Sequence, residues 1–192
     1  MKKRISIAVS VVALALLLIA GTVAVTVAYL TSVKQVTNTF TVGKVEITLD
    51  ETTGENYHLV PGANIPKNPT VTVVENSENC YVFVKVVNNI SDVESDEADK
   101  SIAAQLEANG WVLVPNQTDV YVYTEDGSSI VEKSANKITL PVITSVNVSV
   151  DATNEDLADV DGATVVITAY AIQSEGLADV AAAWNAVKDI QP

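Results

Sequence analysis

The stretch Tyr81-Val82-Phe83-Val84-Lys85-Val86-Val87 decides the fold. It is apolar at even and odd positions alike, and Lys85 is its only charge. A strand sends alternate side chains to opposite faces, so this pattern belongs to a strand covered on both, at the centre of a sheet. Val165–Ile172 reads the same way. Around these two lie shorter strand candidates: Thr70–Val74, Trp111–Val114, Val120–Tyr123, Ile138–Val142 and Val146–Val150. Glu125-Asp126-Gly127-Ser128 makes a turn after Tyr123. Toward the amino terminus, Val36, Phe40 and Val42 fall on even positions, and Val45, Ile47 and Leu49 on odd ones. The apolar face therefore switches at Gly43, which predicts a bulge or the junction of two separate strands. Residues 50–69 hold Gly54, Pro61, Gly62, Pro66 and Pro69 and read as loop.

Three helical insertions punctuate the strands. Lys100–Asn109 carries Ile102 and Leu106 on one face, with Gly110 placed as a terminator. Asn154 caps a short helix with Glu155 and Asp156 in its first turn. At the carboxyl end Leu177, Val180, Trp184 and Val187 recur at helical spacing. Short strands with helices as decorations predict an all-β fold, an antiparallel β-sandwich of jelly-roll-like or immunoglobulin-like form.

The 192 residues suffice for one such domain. Eleven basic and 24 acidic side chains give a net charge of −13. The only charges in residues 1–28 are Lys2, Lys3 and Arg4, so the remainder carries −16. A surface of that sign repels phosphate backbones, and nucleic acid is excluded as a partner. From Ile5 to Tyr29 no residue is charged, a run long enough to cross a bilayer as a helix. A retained anchor and a secretory signal both fit it. The end of the run favours the signal: Thr26-Val27-Ala28 places small residues before a cleavage between Ala28 and Tyr29, and no basic stop-transfer cluster follows. The expected organisation is a signal peptide over 1–28, an amino-terminal segment over 29–42, and a sandwich domain over 43–192.

Thr37-Asn38-Thr39-Phe40-Thr41-Val42-Gly43-Lys44-Val45-Glu46-Ile47-Thr48-Leu49-Asp50-Glu51, with Gly21-Thr22 and Ala28-Tyr29-Leu30-Thr31 before it, resembles the TasA/camelysin family of Gram-positive bacteria. Cys80–Val86, Val160-Asp161-Gly162, Ile167–Gln173 and Ala183-Trp184 extend the resemblance nearly end to end. It implies a secreted jelly-roll subunit of biofilm-matrix fibres, processed by the signal peptidase SipW. Its partners would be further copies of itself and other matrix or minor fibre subunits. In such fibres the mature amino-terminal segment adds as a strand to the next subunit, a form of β-augmentation. Here Leu30, Val36, Phe40 and Val42 would be the donor contacts. Burying four apolar side chains at ~1.5–3 kcal/mol each is substantial before ordering costs. The same segment also suits pairing within its own subunit as a first strand. A monomeric cell-surface adhesin or ligand-binding sandwich is the alternative function.

Camelysin-type relatives have been described as metalloproteases. A zinc protease commonly presents His-Glu-x-x-His on a helix. This chain has one His, His58, in a Gly/Pro-rich loop, followed by Leu59-Val60-Pro61. The carboxylates of Asp92–Asp99, and Asp159 and Asp161 beside Gly162, match no EF-hand spacing and read as solvated faces. Cys80 opens an apolar strand and reads as a buried inert thiol. Trp111 and Trp184 read as core or interface aromatics rather than carbohydrate platforms. No catalytic residue, cofactor or metal ligand is therefore assigned. Amino-terminal sequencing of the extracellular protein is expected to return Tyr29 as its first residue. A chain beginning at Met1 would show a retained anchor instead.

Overall fold

A computed structural model describes residues 31–34, 44–53, 58–160 and 163–188. Among these are β1 (Thr31–Lys34), β2 (Ile47–Asp50), β3 (Asn64–Pro66), β4 (Thr70–Val73) and β5 (Cys80–Asn88). Helix α1 (Ile102–Ala108) follows, then β6 (Trp111–Leu113), β7 (Val120–Tyr123), β8 (Ile138–Pro141) and β9 (Ser145–Asn147). The chain continues through α2 (Asn154–Asp159), β10 (Val165–Gln173) and α3 (Val180–Val187). All the paired strands are antiparallel. They form a five-stranded sheet ordered β1-β10-β5-β7-β6, a three-stranded sheet ordered β2-β4-β8, and a β3-β9 ribbon. The expected all-β antiparallel class is the one observed. The expected signal helix falls on residues outside those described.

The two apolar strands predicted from sequence are each other's neighbours. β5 and β10 pair over nine residues, from Cys80↔Gln173 to Asn88↔Val165. Their period-two pattern divides the core in two. Val82, Val84, Ala169 and Ala171 face the three-stranded sheet and pack with Ile47, Val71, Val73 and Leu140. Tyr81, Phe83, Tyr170 and Ile172 face the other way and pack under α3. There Trp184 stands 5.5 Å from the Phe83 ring and edge-on to Tyr170 at 5.4 Å. Offset and edge-on contacts of this kind suit the ring quadrupoles. A strand buried on both faces has little room for polar side chains, which is why its sequence does not alternate.

Polar side chains tie the decorations to the sheets. The Trp111 indole N–H of β6 donates to Pro141 O of β8 at 2.8 Å, joining the two sheets along one side. Gln105 of α1 is buried, and its amide is fully used. Its Nε2 donates to Lys100 O and Ser145 O at 2.8 and 2.9 Å, while Oε1 accepts the N–H groups of Thr144 and Ser145 at 3.0 Å. A buried amide satisfied this way positions an element; half satisfied, it would destabilise it.

Four local expectations are corrected. Residues 50–69 are not all loop: Asn64–Pro66 pairs with β9. The run Val146–Val150 stops pairing as a strand at Asn147, and Val150 projects into solvent at 71% exposure. The cap of α2 is Thr153 and not Asn154. Its hydroxyl accepts from Asp156 N–H while the Asp156 carboxylate takes Thr153 N–H, a reciprocal capping box. Leu177 lies before α3, whose cap is Asp179, yet it still packs against the same cluster. The Glu125–Ser128 turn is as expected, with positive φ at Asp126 and Gly127, as a tight hairpin requires.

Phe83 is fully buried between β10, β7 and α3. Phe83→Ala should cost about 3–5 kcal/mol in urea unfolding. Val112→Ala, at the exposed outer edge, should stay within about 0.5 kcal/mol. Similar losses at both positions would contradict the assignment of the core.

Candidate functional site

The feature with most functional content is the amino-terminal edge of the larger sheet. β1 lies outermost there, antiparallel to β10, in the register Thr31↔Ile172, Ser32↔Ala171, Val33↔Tyr170 and Lys34↔Ala169. Of the two pairings open to the amino-terminal segment, Thr31–Lys34 shows the one within its own chain. The cleavage residues Ala28 and Tyr29 and the donor contacts Leu30, Val36, Phe40 and Val42 lie outside the described residues.

β1 covers only part of its neighbour. Among the described residues, Val165–Thr168 of β10 have β5 on one side and no strand on the other. Beside this uncovered half is a cavity of about 260 Å³. Leu59, Ile65, Ile90, Val146 and Val165 line it, with Lys67 and Thr164 adding polar groups. Val166 is 42% exposed at its rim. β10 carries no charged side chain over its whole length. Sequence reasoning missed this site. A paired and an unpaired strand edge carry the same side-chain pattern, and no residue of Val165–Thr168 marks which it is.

The candidate chemistry sorts differently. His58 is exposed in its loop. The Asp92–Asp99 run does not converge. Glu94 turns inward, accepting from Ile102 N–H and Asn88 Nδ2, and Glu97 pairs with Lys100 at 2.8 Å. Burial pushes the Glu94 carboxyl above its ordinary value, against those two hydrogen bonds. Among the described residues no three His, Cys, Asp or Glu side chains come together as metal ligands. Beyond them the sequence offers only Glu55, Asp161 and Asp189, with the Asp159 side chain. Among the described residues, one exposed imidazole with no converging carboxylates does not fit a catalytic zinc centre. Asp161 and Gly162 lie outside the described residues. Trp111 and Trp184 are core residues, as expected.

Cys80 is fully buried at the start of β5, bridged to Val131 by backbone hydrogen bonds of 3.0 and 2.8 Å. Burial pushes its thiol from the ordinary 9.0 up to about 12. The neutral thiol is thus favoured by the fold. Its contribution is intact below pH 9.0 and lost as pH rises toward about 12. At pH 8 a thiol reagent should leave the native protein unmodified and label one equivalent once urea unfolds it. Rapid labelling of the folded chain would contradict this placement.

The sequence profile of the camelysin metallo-endopeptidase family matches residues 1–170. No curated protein and no solved structure matches the chain.

Proposed function

Because the chain belongs to the camelysin family, to which TasA also belongs, we propose that it is a secreted structural subunit of extracellular matrix fibres that assembles by exchange of its amino-terminal strand. The observation that carries this reading is the position of β1. It is a four-residue strand at the end of the described chain, at a sheet edge, held by its ladder to β10. An edge strand near a chain terminus is the simplest element for two copies to trade, because the vacated ladder accepts the same strand from a neighbour. Export by SipW would free that terminus by cleavage between Ala28 and Tyr29. The work of the protein is then assembly, and the acidic surface keeps subunits apart until the strand is exchanged.

Deletion of Tyr29–Thr37 tests it. Material secreted by cells expressing the whole chain should show filaments by electron microscopy, and the deletion variant should show none. Filaments formed by the deletion variant at the wild-type rate would exclude strand exchange.

The family's description as a metallo-endopeptidase favours a second reading, proteolysis. The donor set described above does not support it. Casein cleavage by the pure protein, with stoichiometric zinc, would establish it. Cleavage that survives His58→Ala would exclude the chain's only imidazole as a ligand.

A further inference from the structure

We propose that Asn109-Gly110 is a modification site: a deamidation site that the fold holds shut, and whose conversion to Asp or isoAsp releases the clamp between the two sheets. The inference is independent of the fibre reading and concerns the durability of the sandwich itself.

The sequence supplies the chemistry. Asn is among the thermally labile residues. Its side-chain amide is lost most readily when the next residue leaves its backbone nitrogen unhindered, as Gly does. The chain contains one Asn-Gly pair, Asn109-Gly110. In the reaction the Gly110 nitrogen bonds to Cγ of Asn109, the bond from Cγ to Nδ2 breaks, and ammonia leaves. Water then opens the resulting succinimide at either carbonyl, giving Asp or isoAsp. Water is the only co-reactant, and nothing is oxidised or reduced.

The turn requires glycine there. Asn109 closes α1, and Gly110 takes φ +86°, the left-handed conformation in which helices often end. A Cβ at Gly110 would lie 3.0 Å from Thr124 O and 3.1 Å from the Tyr123 ring. Any side chain at that position is both strained and crowded, so the labile pair comes with the turn that leads α1 into β6.

The same turn restrains both reacting groups. Gly110 N–H, the nucleophile, donates to Glu107 O at 3.0 Å. Asn109 Nδ2, the leaving group, donates to Val142 O at 3.0 Å. Between them Asn109 N–H donates to Gln105 O and Leu106 O at 3.0 and 3.1 Å. Ring closure swings Gly110 N onto Cγ, which breaks the first of these bonds and displaces the second. The last turn of α1 must therefore open first, and the rate is scaled down by the small population of that open state. Opening is resisted because Leu106 is fully buried and the Gln105 amide is tied to Lys100, Thr144 and Ser145.

Conversion changes what the turn can hold. Val142 is fully buried, and among the described residues Asn109 Nδ2 is the only donor to its carbonyl. An ionised Asp has no hydrogen to give, so oxygen would face oxygen and a buried carbonyl would lose its partner. An isoAsp adds a methylene to the main chain as well, just before Trp111, whose indole bonds to Pro141 O at 2.8 Å. Asn109 and Trp111 grip adjacent residues, so both ties between the sheets are disturbed together.

Peptide mapping of the purified whole chain tests the protection. Samples are held in mildly alkaline buffer with and without guanidinium chloride, and Asn, Asp and isoAsp at position 109 are separated by mass and elution. Conversion should be at least about fivefold slower in the folded protein than in the unfolded one. A smaller ratio would overturn the proposal. Asn109→Asp, which reproduces one product, should unfold at a lower denaturant concentration than the native chain. Asn116→Asp, the same change at an exposed turn residue, should not. Equal midpoints for the two variants would overturn the release of the clamp. Native chain partly converted in guanidinium and then refolded gives a second reading that needs no variant. Asp and isoAsp at position 109 should be enriched in the molecules that a protease digests first, and an even distribution would count against the clamp in the same way.

Discussion

The nine-residue ladder between β5 and β10 is the constraint on which the other elements depend. Tyr81–Val84 of β5 and Ala169–Ile172 of β10 are buried on both faces, so this part of the ladder needs a cover on each side. The three-stranded sheet provides one and α3 the other. The aromatic residues of the ladder itself sit on the helix side, where Phe83 and Tyr170 meet Trp184 of α3. Small and β-branched residues, Val82, Val84, Ala169 and Ala171, lie on the sheet-to-sheet side, where two flat surfaces pack closely. β7 and β6 extend the sheet from β5, and β1 extends it from β10.

The two sides of this sandwich are closed unequally. On the β6 side, the Trp111 indole bonds to Pro141 and the Asn109 amide to Val142, fastening one sheet to the other. On the β10 side, the described closure is β1 alone, four residues against a strand of nine. An uncovered strand edge is ordinarily guarded by charge, proline or a bulge. Among the described residues no strand covers the Val165–Thr168 edge, which carries neither charge nor proline, and a cavity lined by Leu59, Ile65, Val146 and Lys67 adjoins it.

Much of the scaffold was legible in the residues. The two-faced pattern of Tyr81–Val87 and Val165–Ile172 announced central strands because double burial excludes polar positions on either face. Ile102 and Leu106, Gly110 and the Asp126-Gly127 turn were likewise readable, since helical spacing and positive φ are local requirements. Errors arose where a neighbour decides. Asn64–Pro66 is a strand only because β9 lies beside it, in a stretch whose prolines and glycines read as loop. Val146–Val150 has the composition of one strand, but its pairing as a strand ends at Asn147. Thr153 rather than Asn154 caps α2 because its hydroxyl meets the backbone of Asp156 in the right geometry. The buried network of Gln105 spans about forty residues and leaves no signature in sequence spacing.

By itself, the sequence determined the β class, the acidic body, the poverty in imidazole and thiol, and membership of the camelysin family. These follow from composition, periodicity and linear similarity, which need no knowledge of what touches what. Only the tertiary structure decided that the two apolar strands pair with each other, that β1 covers half of β10, and that the carboxylates of Asp92–Asp99 do not converge. These depend on register and chain closure. A strand's side-chain pattern fixes its faces but says nothing of its edges, where backbone groups common to every residue do the pairing.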